Sequence, residues 1–247
     1  MTQALPQVSL GSSRLVRFLT DLSVSDTLVS HRQFTERLGQ LIDFSDSINL
    51  SAAHARSLDA IDEDAESFRE GITSEFLRAR STIVRAAMRS FVLGSGPTRI
   101  KWPRAETPPQ DPNSATAAYL KFYQLQQADV DTKIRGLHLR TRQAIASLSP
   151  NLARICAIDA ALNDALATHA RRYLSAVPNL LMRRLEHLYT EFEETVQSGA
   201  EREVSWIETR ERYRRESQGL LLAEIEARLL PSLGLIEALN EEIKDED

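Results

Sequence analysis

The sequence predicts an all-α protein, an elongated antiparallel helical bundle with coiled-coil-like long helices, and three observations carry that prediction. Ala, Leu, Arg, Glu and Gln recur throughout, whereas the 247 residues hold only nine glycines and nine prolines, bunched in a few places. Apolar residues return every three or four positions over long stretches, the period of one helix face. Aromatic residues make up only 6%, which suits slim helices packed through Leu, Ile and Ala.

Taken in order, Ser12 and Ser13 are placed to cap a short helix carrying Leu15, Phe18, Leu19 and Leu22 on one face. A second helix begins near Ser30 and carries Phe34, Leu38, Leu41, Ile42, Phe44 and Ile48. The acidic run Asp59, Asp62, Glu63, Asp64 and Glu66 marks the first turns of a third, where negative charge complements the free amides. Its apolar face comprises Ile61, Ala65, Phe68, Ile72, Phe76, Ala79, Ile83 and Ala87, and Gly94 is placed to end it.

Five prolines between residues 94 and 112 (97, 103, 108, 109 and 112) forbid a continuous helix and mark an extended connection. The expected organisation is therefore an N-terminal helical region (1–93), a proline-rich linker (94–113) and a long-helix bundle (114–247). Asn113 or Ser114 caps a helix running to about Leu148, with Leu120, Tyr123, Val130, Ile134, Leu137, Ala144 and Leu148 on its seam. Ser149 and Pro150 signal a restart, because proline at the first helical position forfeits no hydrogen bond. The next seam reads Leu152, Ile155, Leu162, Leu166, His169, Tyr173 and Ala176. Pro178 should kink or divide this helix before Leu181, Leu185, Leu188, Phe192 and Val196. A last helix runs from about Glu201 to Ile243 with Leu222, Ile225, Leu229, Ile236, Leu239 and Ile243 in heptad spacing, and Pro231 should kink it. The acidic end (Glu241, Glu242, Asp245, Glu246, Asp247) is expected to fray.

The residues exclude more functions than they suggest. A net charge of −5 gives no overall pull towards nucleic acid or an anionic membrane, so any such binding must be local. The single cysteine, Cys156, precludes an internal disulfide and, lying in an apolar run, reads as a buried small residue. Gly94 to Lys101 lacks the spacing of a phosphate-binding loop, and none of the five histidines stands in a Glu-x-x-His motif. His187, Glu191 and Glu194 share a helix face, but the surrounding charges read as a solvated surface rather than a metal site. We therefore expect no enzymatic activity, no cofactor, no metal and no small-molecule substrate. The N-terminus has no basic start followed by an apolar stretch, and no segment of about twenty apolar residues occurs; a cytoplasmic protein is the expectation.

One charge feature stands out. Arg78, Arg80, Arg85, Arg89, Arg99, Lys101 and Arg104 occur in a segment with no acidic residue, and Trp102 falls inside it. These eight residues are the candidate site for a phosphate-bearing partner, nucleic acid or lipid headgroup, the arginines holding phosphate while the indole supplies a stacking or apolar contact. The competing reading is that the preceding acidic segment neutralises the charge and Trp102 docks the proline-rich connection onto the bundle. The polar stretch Glu208 to Gln218, with four arginines against three glutamates, reads as a solvated helix.

The segment from Phe34 to Ala53 (FTERLGQLIDFSDSINLSAA), with LVRFL at residues 15–19, resembles an uncharacterised bacterial family of about this length, a domain of unknown function. The resemblance spans most of the chain, and it implies an all-helical fold and no transferable site residue. It also implies a place beside a cell-envelope complex, since the family's members look like companions of proton-channel-type and outer-membrane-anchor proteins in bacterial gene clusters. The leading expectation is thus a helical scaffold or adaptor that binds a second copy or another helical protein along its seams. The alternative is a peripheral binder of anionic membrane or nucleic acid through Arg78 to Arg104.

Overall fold

In the computed structural model, residues 14–15, 65–92, 100–103, 112–195 and 200–245 are described. They form five helices and no strand: α1 (Ala65–Ser90), α2 (Pro112–Ala146), α3 (Pro150–Leu174), α4 (Val177–Thr195) and α5 (Ala200–Asp245). Of the two helices expected before residue 50, only Arg14 and Leu15 are described; Leu15 is buried in the core and Arg14 pairs with Glu226 at 2.8 Å.

Local chemistry sets the helix ends. Ser149 caps α3, its Oγ accepting from the Leu152 amide at 3.1 Å, with Pro150 in the first turn, as the Ser-Pro pair predicts. The same Oγ donates to Glu242 Oε1 at 2.6 Å, and Glu242 also meets Arg69 at 3.3 Å. One carboxylate thus joins the α2–α3 corner, the start of α1 and the end of α5. Pro112 opens α2, so residues 113 and 114 lie inside the helix rather than capping it. The division expected near Pro178 is present: Ser175 and Ala176 form a turn between α3 and α4. Pro231 lies inside α5, which continues past it to Asp245. α1 ends at Ser90, before Gly94, and Phe91 turns back through its amide to the Met88 carbonyl at 3.2 Å.

Cross-helix contacts order the elements. Tyr119 meets Tyr213, Tyr123 meets Glu224, His138 meets Ser232 and Ser149 meets Glu242, so α2 and α5 run in the same direction. Arg69 pairs with Glu242 while the Phe91 carbonyl accepts from Arg214 at 3.2 Å, so α1 runs opposite to α5. Arg142 with Asp159 and Gln127 with the Leu174 carbonyl align α3 opposite to α2, and Arg184 with Glu216 aligns α4 opposite to α5.

A single apolar cluster includes residues of all five helices, among them Phe76, Ile134, Leu152, Leu185 and Leu229. α1 therefore shares a core with the long helices. Of the seams read from sequence, α2 faces this core from Tyr123 to Leu148 and α4 through Leu181, Leu185 and Leu188, while Phe192 packs on Trp206 and Val196 lies outside the described residues. The α3 seam does so only at its start, where Leu152 and Cys156 are buried, whereas His169 and Tyr173 are exposed. Phe68, assigned from its spacing to the apolar face of α1, also lies exposed.

The stretch Glu208 to Gln218 is not a solvated helix. Tyr213 and Ser217 are buried, Arg184 grips Glu216 through two bonds of 2.8 Å, and Arg214 reaches Glu211 and the Phe91 carbonyl. Burial pushes the Glu216 carboxyl up, but the Arg184 and Arg212 guanidiniums together outweigh it and hold it below the usual carboxylate range.

Cys156 is buried, and burial followed by the nearby Asp159 charge pushes its thiol up to about 11. At neutral pH this leaves it roughly a hundredfold poorer in thiolate than an ordinary cysteine. Alkylation by iodoacetamide should therefore be at least that much slower in the native protein than in urea; comparable rates would show that the thiol is accessible.

Candidate interaction face

Two polar clusters lie inside the bundle, and neither is open to a ligand. Glu224 of α5 has no exposed surface, accepts from Tyr123 Oη at 2.6 Å and from Gln127 Nε2 at 2.9 Å, and lies 3.7 Å from Arg228, which also pairs with Asp131 at 2.6 Å. The second cluster brings together Ser232, His138 and Asp159. Ser232 Oγ is 2.9 Å from His138 Nδ1, and Asp159 Oδ2 is 2.9 Å from Nε2, near enough for an ion pair but off the line of the ring N–H. These are the residue types of a nucleophilic triad, yet Ser232 has no exposed surface on which a substrate could arrive. The cluster ties α2, α3 and α5 together. Sequence reasoning missed both clusters, because neither His138 nor Glu224 bears a local mark of its partners 94 and 101 residues away.

The basic segment is only partly assembled. Arg78, Arg85 and Arg89 project from the outer side of α1, Arg80 is half-buried on its other flank, and Lys101 is exposed. Arg99 and Arg104 lie outside the described residues. For Trp102 the docking reading holds and partner stacking is corrected: the indole is 4% exposed and faces the bundle. Its ring packs on Tyr119 at 4.8 Å, Phe122 at 5.0 Å, Phe91 at 5.2 Å and Tyr213 at 6.0 Å, and its amide donates to the Ser90 carbonyl at 3.0 Å. Residues 100–103 are thus strapped to the bundle by the indole, since so large an apolar ring gains more from this box than from water.

What remains is a stripe on α1. Ser74, Arg78, Ser81 and Arg85, spaced 4, 3 and 4 apart, share one outward line. Leu77, Met88 and Val92 lie beside it, 48%, 42% and 52% exposed. An open groove of about 760 Å³ follows this face and is lined by Arg69, Glu70, Ser74, Leu77, Arg78 and Arg85, among others, so one carboxylate shares it with the arginines. The arginines of α4 and α5 mostly have acids to meet: Arg184 with Glu216, Arg202 with Glu193, Arg212 with Glu191 and Glu216, Arg228 with Asp131. Among the described residues Arg78 and Arg85 meet none; Arg85 Nε donates only to the Ser81 carbonyl at 3.2 Å. The stripe therefore combines anion-seeking charge with apolar surface. No group of three metal-ligating side chains stands together among the described residues, His187, Glu191 and Glu194 included.

Fold and surface together define an all-helical bundle protein with two exposed arginines on α1, Arg78 and Arg85, that meet no acid among the described residues. The chain belongs to the family described as protein of unknown function (DUF3348), whose model matches residues 1–241. No curated protein and no solved structure matches the chain. Among the described residues no helix is long and apolar enough to cross a membrane.

Proposed function

We propose that the protein is a non-enzymatic helical scaffold that works by holding protein surfaces, with the outer face of α1 as a contact. The observation that carries this reading is the alignment of Leu77, Met88 and Val92 with Arg78 and Arg85, which have no acid of their own among the described residues. Singly exposed apolar residues are ordinary on any surface. Arginine and methionine set side by side on one rigid helix are the composition of an interface. Rigidity matters because a helix locked into a core spends little entropy when its partner arrives.

A photo-crosslinking amino acid placed at Met88 or Val92 in the full chain, in the cells that make it, is expected to form protein adducts that the same probe at exposed Lys121 of α2 does not. Envelope proteins among the adducts would support the place beside an envelope assembly. Adducts with lipid or nucleic acid alone would replace this reading by the second one, a peripheral binder of anionic membrane or nucleic acid, which the unpaired Arg78 and Arg85 favour. No adducts, or the same adducts at Lys121, would overturn both.

A further inference from the structure

We draw no further inference here: the strongest candidate, the groove along the outer face of α1 where Leu77 and Met88 lie exposed beside Arg78 and Arg85, belongs to the contact face already described, and with Glu70 among its arginines nothing in the structure shows what covers it.

Discussion

Glu224→Leu is expected to destabilise the protein by about 3–5 kcal/mol, the usual consequence of removing one partner from a buried charged cluster. Leucine matches the volume and suits the apolar surroundings. It leaves Tyr123 Oη, now 2.6 Å from a carboxylate, without its acceptor and Gln127 with only the Leu174 carbonyl. Glu224→Gln should cost no more than about 1 kcal/mol, because an amide oxygen still accepts from Tyr123 and Arg228 keeps Asp131. Urea unfolding of the two variants measures both. Equal losses would show that the shape of the residue, not the network, matters.

The pH dependence has a definite sign. Burial raises the Glu224 carboxyl above the usual value of 4.5, against the opposing pull of Tyr123, Gln127 and Arg228. The folded chain then binds this proton more tightly than the unfolded chain. The group's destabilising contribution is absent below the unfolded pKa, grows as pH rises through the window between the two values, and is complete above the folded one. Ordinary carboxylates in ion pairs do the reverse. The stability of Glu224→Gln relative to wild type should therefore improve from pH 4 to pH 7; a constant difference would mean that the carboxyl is not raised.

Trp102→Ala carries the other large expectation, a loss of about 3–5 kcal/mol, as for other large aromatic truncations in a core. Four rings surround the indole within 6.0 Å: Phe91 just past α1, Tyr119 and Phe122 of α2, and Tyr213 of α5. Removing it leaves a void that rigid helices cannot collapse to fill, and it unties residues 100–103 from the bundle. Limited proteolysis should then cut next to Lys101 far faster than in the wild type. A loss below about 1 kcal/mol with no new cleavage would show that the connection is held some other way.

How much was legible depended on the range of the interaction involved. The helices from α2 onward announced themselves because their signals are local: Ser149 and Pro150 restart a helix from within four residues, and Leu181, Leu185 and Leu188 repeat along one face. The basic segment was legible as charge, but not which of its members share one side of α1. Sequence left open whether Trp102 stacks on a partner or docks the connection, because its neighbours in sequence are basic and proline-rich, whereas its neighbours in space are Phe91, Tyr119, Phe122 and Tyr213. The polar run around Tyr213 looked solvated for the same reason, its acids and arginines finding partners on α4 and α1 rather than in water.

Periodicity and composition by themselves determined that this chain is helical, where its later helices begin and divide, and that arginine is concentrated between residues 78 and 104. Only the tertiary structure decided that α2 and α5 run side by side in the same direction, that Glu224 and His138 are interior groups, and that Arg78 and Arg85 meet no acid among the described residues whereas Arg184, Arg202, Arg212, Arg214 and Arg228 do. Helix formation is written in residues three and four apart. Burial and pairing join side chains about a hundred positions apart, and those are set by how the helices pack.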